Sequence, residues 1–174
     1  PGAKDSLNAF DMDIPGDTSC ASYLIGLAVL LRDSRLVINN LLLNPHRMGL
    51  INTLISMGAN IQIDNVDFIR NEKVGRVTVR GDSQLNPCCV SRDKIPAMID
   101  EIPMLSLICS HIKGTSIIEG LKELKYKESN RIDTVYNGLL KCKVKVKKKL
   151  KNININSKVV SMPCQELFDK QSKE

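Results

Sequence analysis

Two short stretches and one acidic turn combine the residue types that anion binding and proton transfer use. In Lys125-Tyr126-Lys127-Glu128-Ser129-Asn130-Arg131, two cations, Lys127 and Arg131, stand within about one helical turn of the Glu128 carboxylate. As an isolated string this is also an ordinary run of solvated salt bridges, each worth little. Gly16-Asp17-Thr18-Ser19-Cys20-Ala21-Ser22-Tyr23 is a hydroxyl-rich turn at a helix start. Free N–H groups and the positive end of the helix dipole make such a place hospitable to phosphate or carboxylate. Asp17, Thr18 or Ser19 could equally do no more than cap the helix. Asp100, in Ile99-Asp100-Glu101, precedes an apolar helix, and capping is its default reading.

The elements that must position these residues come in two similar sets. Ile14-Pro15-Gly16-Asp17 marks a turn, and the apolar spacing of Ala21, Leu24, Leu27, Ala28 and Leu31 predicts a helix behind it. Leu36-Val37-Ile38 reads as a short buried strand, and a second helix is expected from about Pro45 to Met57. Gly58 follows as a left-handed terminating glycine. Ile61 and Ile63 alternate as a strand, and Val77 and Val79 as another after a polar hairpin.

The order recurs about 85 residues later. An apolar helix is expected from about Ile102 to Ile112, then Gly114 and the strand Ser116-Ile117-Ile118. A helix from about Glu128 to Leu140 and a strand carrying Val144 and Val146 complete the set. Leu54 and Leu139, Met57 and Cys142, and Ile61 and Val146 are equivalent pairs. The fold class is therefore α/β, built from repeated β-α-β-α-β-β units. One position departs from the repeat: Lys143 stands where Gly58 ends the helix of the first copy.

Composition excludes several classes. The 174 residues are 43% hydrophobic, enough to fill a core. The longest uninterrupted apolar stretch, Tyr23 to Leu31, is shorter than the roughly 20 residues that span a bilayer, so no membrane partner is expected. The net charge is +6, from 25 Lys plus Arg against 19 Asp plus Glu. Seven of those cations are lysines between Lys141 and Lys151, and setting them aside leaves 18 basic against 19 acidic residues. Lys143-Val144-Lys145-Val146-Lys147 alternates as a strand with one solvated face, and lysines on an edge strand discourage unwanted pairing. With aromatics at 3% and no Trp, no nucleic-acid partner is expected.

Six cysteines (20, 88, 89, 109, 142 and 164) and two histidines show no paired metal-ligand spacing, so no metal is expected. Without a secretion signal, six thiols fit a reducing cytoplasm. The chain opens on Pro1 rather than Met, which suggests a piece of something longer.

Taken together, the motifs resemble the 5-enolpyruvylshikimate-3-phosphate synthase family. Lys125 to Arg131 matches that family's string of a basic residue, any residue, Lys, Glu, a small residue, an acid or Asn, and Arg. Gly16 to Tyr23 matches its Gly-Asp-x-Ser-Ser-Ala-x-Tyr/Phe turn, with Cys20 in place of the second Ser. Leu43-Asn44-Pro45-His46-Arg47-Met48-Gly49, Met57-Gly58-Ala59 and Ile99-Asp100-Glu101-Ile102-Pro103 fall in the same order and spacing. The resemblance covers about residues 13 to 147, and the residues after about Asn152 do not match.

The resemblance implies the inside-out α/β barrel fold of enolpyruvyl transferases, with part of each of two lobes present. The divisions expected are 1–60 for the last part of the N-terminal lobe, 61–151 for part of the C-terminal lobe, and 152–174 for a divergent tail. It also implies transfer of the enolpyruvyl group of phosphoenolpyruvate to the 5-hydroxyl of shikimate 3-phosphate, releasing phosphate, on the way to chorismate and the aromatic amino acids. By position, Asp100 would be the base and Glu128 the proton donor. Cys20, Tyr23, Asp100 and Lys127 would bind shikimate 3-phosphate, and Arg131 would clamp phosphoenolpyruvate. No cofactor is implied, and the family is typically monomeric.

The flanking cations Lys127 and Arg131 favour the ionised form of Glu128, so acting as an acid requires a closed, liganded site. The family's other substrate-binding elements are not found in this chain, so the chain alone is expected to be inactive. Two alternatives stand beside this: enolpyruvyl transfer to a UDP-amino sugar, and a degraded gene product without activity.

Overall fold

The computed structural model describes residues 9, 11, 13–126, 130–149 and 152–157. Helix α1 (Thr18–Leu30) begins where the Asp17 side chain accepts from the Cys20 N–H, and ends as Leu31 leaves helical conformation with its N–H on the Leu27 carbonyl. The helix is apolar on nearly every side. Ala21, Ile25, Ala28 and Val29 are buried, yet Tyr23, Leu24 and Leu27 remain more than half exposed. A helix without a polar face is built to be covered all round.

Strand β1 (Arg35–Leu42) follows, then a 3-10 turn (Pro45–Arg47) and α2 (Gly49–Ser56). Strands β2 (Asn60–Ile69) and β3 (Glu72–Arg80) form a hairpin whose two turn residues, Arg70 and Asn71, both have positive φ. That is the turn type whose twist matches paired strands. The three strands make an antiparallel sheet in the order β1-β3-β2, and Gly16 bridges Leu41 in parallel at its margin.

The second set is built alike. Strand β4 (Cys89–Val90) leads through a 3-10 segment (Arg92–Glu101) into α3 (Ile102–Ser110) and β5 (Gly114–Ile118). A 3-10 segment (Leu121–Tyr126) precedes α4 (Arg131–Lys141), and β6 (Lys145–Lys149) and β7 (Asn152–Ser157) close the set. The sheet order is β4-β5-β7-β6, with β4 parallel to β5 and the rest antiparallel. Core strands β5-β7-β6 reproduce β1-β3-β2, and β4 takes the place of the Gly16 bridge.

One expectation shifts and one element is added. The fourth helix starts at Arg131, not near Glu128, because Asn130 caps it by accepting from the Asp133 N–H. Asn152–Ser157 forms β7, a central strand of the second sheet that the pattern reading did not include. Asn152-Ile153-Asn154-Ile155 alternates at period two, and Ile153 and Ile155 are fully buried. Asn is a poor strand former, which hid the pattern. β6 lies at the sheet edge as its lysines suggested, with Val146 buried and Lys145 and Lys147 exposed.

One core joins the sets. α1 packs on β1 and β3, α3 packs on β7, and the two helices meet. Gly26 allows that approach, since a Cβ there would come within 2.5 Å of Met104 Sδ. Ile25, Leu54, Val77, Leu105, Ile108 and Ile153 belong to the same buried cluster. The boundary expected between 60 and 61 falls within the first sheet, where β1 and β2 flank β3, and this core continues across it.

Candidate active site

Of the candidate residues, Cys20 and Tyr23 lie in the first half of α1, Asp100 just ahead of α3 and Arg131 at the start of α4. At the start of α1, Thr18 Oγ1 donates to the Leu42 carbonyl at 2.8 Å, anchoring the turn to the end of β1. Asp17 Oδ2 accepts from the Cys20 N–H at 2.8 Å. That bond, with Arg47 nearby, holds the Asp17 carboxyl below its usual range. Capping is thus realised, and it is Asp17 that caps.

Cys20 itself is exposed, and the Asp17 carboxylate beside it pushes its thiol up. It is therefore a neutral thiol, a weak hydrogen-bond donor rather than a nucleophile. Tyr23 stands one turn along the helix, also exposed.

Arg47 is a residue the motif reading left without a role. Its Nη2 donates to Asp17 Oδ1 at 2.9 Å and to Ser19 Oγ at 2.7 Å. Asn44 and Pro45 set the turn that brings it there, with Asn44 accepting from the His46 N–H. The available signal was a lone guanidinium directly behind an Asn-Pro turn start. A cation thus sits at the first turn of α1, where the dipole alone would favour an anion.

Asp100 and Arg131, 31 positions apart, meet directly: Arg131 Nη1 donates to Asp100 Oδ1 at 2.6 Å. Arg131 is the first residue of α4 and Asp100 the penultimate residue of the segment ahead of α3. Gly49 seats that segment, because the α2 start lies against it so closely that a Cβ on Gly49 would come within 2.6 Å of the Ala97 carbonyl oxygen. The same segment touches the Pro45–Arg47 turn and α1. Lys127 and Glu128 lie outside the described residues.

Glu101, next to Asp100, is buried, and its Oε1 has no hydrogen-bond partner among the described residues. Burial of a carboxylate without a full set of partners is costly. Among the described residues no group of three or more His, Cys, Asp or Glu side chains is placed to hold a metal ion, and no helix is long and apolar enough to cross a membrane. An open cleft of about 1070 Å³ exists, lined in part by Leu30, Arg32, Asp82 and His111. It lies at the C-terminal ends of α1 and α3, away from the candidate residues.

Comparisons with known proteins agree with the geometry. The family model of EPSP synthase (3-phosphoshikimate 1-carboxyvinyltransferase) matches residues 1–166. A 3-phosphoshikimate 1-carboxyvinyltransferase of Bacillus pumilus is 41% identical over 136 residues, covering 78% of this chain and 32% of its own length. One from Geobacillus kaustophilus is 42% identical over 128 residues, covering 74% of this chain and 30% of the relative. EPSP synthase from Acinetobacter baumannii superposes with a TM-score of 0.81 at 27% identity, over 89% of this chain and 35% of that one. The chain spans about a third of the length of these relatives, and its repeated α/β fold is theirs. By motif order, by repeat topology and by these matches, the chain belongs to the EPSP synthase family.

Proposed function

We propose that this chain supplies one wall of a site that transfers the enolpyruvyl group of phosphoenolpyruvate to the 5-hydroxyl of shikimate 3-phosphate, releasing phosphate. The observation that carries the reading is the Asp100–Arg131 ion pair, which joins two motifs separated in sequence into one acid–base and anion-binding unit. Such a reaction needs a base at the hydroxyl, an acid at the methylene carbon and cations on the phosphates and carboxylates.

Asp100 is the base in this reading, Glu128 the acid, and Arg131 the phosphoenolpyruvate clamp. Lys127, Cys20 and Tyr23, with Asp100, contact shikimate 3-phosphate. Arg131 is ion-paired with Asp100. An arriving carboxylate or phosphate would compete with Asp100 for the guanidinium, so substrate binding and the position of the base are linked. The reaction would take place in the cytoplasm, in a monomer and without a cofactor.

The exposed apolar face of α1 supports the view that further protein covers this chain when it works. A partial site orders and desolvates its substrates without the full set of compensating charges, so the 174 residues alone should show no turnover.

The test is a chimera in which residues 13–157 replace the corresponding segment of the Bacillus pumilus relative. Phosphate release from phosphoenolpyruvate should depend on shikimate 3-phosphate and fall at least about 100-fold with Glu128→Gln or Arg131→Ala. A folded chimera that binds neither substrate and turns nothing over would sink the proposal.

One observation favours a second reading, a chain that has lost its activity. Lys143 adopts φ 60°, a left-handed conformation that is unfavourable for a side-chain-bearing residue, where the first copy has Gly58. In that case the chimera would bind both substrates and release no phosphate.

A further inference from the structure

Two thiols meet at a place the proposed reaction does not use. Cys88 Sγ and Cys109 Sγ lie 3.7 Å apart, with Cys88 half-buried and Cys109 buried. Both backbones are held. The Cys88 N–H donates to Ser116 Oγ at 3.2 Å, and its carbonyl accepts from the Ile117 N–H at 2.9 Å. Cys109 sits in the last turn of α3. Since a disulfide is about 2.05 Å long, the sulfurs must close by about 1.7 Å to bond. Cys20, Cys89 and Cys142 are exposed, and among the described residues no other two thiols are in contact.

We propose that Cys88 and Cys109 form a reversible disulfide when the protein meets a hydroperoxide, tying the C-terminal end of α3 to the residue just ahead of β4. The Cys88 thiolate attacks the outer oxygen of the peroxide. The O–O bond breaks, sulfur is oxidised to sulfenic acid, and the reduced peroxide leaves as an alkoxide that takes a proton. Cys109 then attacks the sulfenic sulfur: the S–S bond forms, the S–O bond breaks, and the Cys109 proton leaves with the hydroxyl as water. Two thiols and one hydroperoxide become one disulfide, one alcohol and one water.

The contact distinguishes the two roles. The Cys109 thiol, helped by Ser116, draws Cys88 down to about 7 against the effect of burial. The same contact and burial push Cys109 up. Cys88 is the attacking thiolate and Cys109 the resolving thiol. The bond closes a loop that contains Asp100 and the segment seated on Gly49, so it restrains the candidate base without touching it.

The experiment treats the full chain with hydrogen peroxide at neutral pH, blocks free thiols and maps the peptides by mass. The expected product is a Cys88–Cys109 cross-link, about 2 Da lighter than the two free peptides and reversed by dithiothreitol. It should be lost in Cys88→Ser and retained in Cys89→Ser. Alkylation of Cys88 in untreated protein should rise with pH and be half-maximal near 7. A cross-link through any other cysteine, Cys88 sulfinic acid with Cys109 still free, or a Cys88 alkylation profile whose midpoint lies near the ordinary thiol value of about 8.5 would overturn the proposal. None of these readouts depends on the enolpyruvyl transfer reaction.

Discussion

The first repeat and the second share a backbone plan but differ in how well their residues suit it. In the first, α2 ends as the Gly58 N–H bonds the Ile55 carbonyl and the Ala59 N–H bonds that of Leu54, at 3.0 and 2.9 Å. In the second, Lys143 and Val144 make the same bonds to Leu140 and Leu139, at 2.9 and 3.0 Å. Both terminating residues are left-handed, but only Gly58 adopts that conformation without steric penalty. Met57 is buried, whereas its counterpart Cys142 is exposed. Backbone hydrogen bonds thus preserve the helix ending after the residue suited to it has gone.

The largest expected effect is in the shared core. Leu54→Ala should cost about 3–4 kcal/mol and Leu139→Ala about 2, because Leu54 is fully enclosed and Leu139 keeps 6% exposure at the rim. Urea denaturation with an unchanged slope would measure both, and equal losses would mean that the second repeat is packed as tightly as the first. Next come the helix endings. Gly58→Lys should cost about 1–2 kcal/mol, while Lys143→Gly should gain about 0.5–1. If Lys143→Gly destabilised the chain, the lysine side chain would be making a contact that outweighs its backbone cost.

The helix starts separate the repeats by charge. Replacing either cap, Asp17→Ala or Asn130→Ala, should cost about 1 kcal/mol at neutral pH. Asp17 is held below its unfolded value by the Cys20 N–H and by Arg47. Its stabilisation is therefore present above the unfolded value, about 4, and fades as pH falls through the lower folded value. Thermal melts of Asp17→Ala against the parent should therefore differ at neutral pH and converge in acid. The smallest effect on stability belongs to the open face of α1. Leu24→Lys with Leu27→Lys should change the unfolding free energy, measured by urea denaturation, by less than about 0.5 kcal/mol per site. A large loss of stability would mean that this face is covered within the chain.

How far the sequence was legible depended on the range of the interaction. The α1 cap, the hairpin strands and the lysine-edged strand were readable because period and turn chemistry are local. β7 was missed because Asn at alternate positions masks a strand until its partners are known. The Lys127–Glu128–Arg131 string suggested one helical turn, but Asn130 caps later, so Arg131 opens α4 and reaches back to Asp100.

The sequence by itself determined the repeat, the helix endings, the family and the identity of the candidate residues. These follow from spacing, local hydrogen bonding and motif order. Only the tertiary structure decided that Arg131 pairs with Asp100, that Arg47 takes Asp17 and Ser19, and that Cys88 faces Cys109. Each is a contact between residues 21 to 31 positions apart. Such contacts are settled by how the packed helices and sheets route the chain, and a one-dimensional pattern does not carry that path.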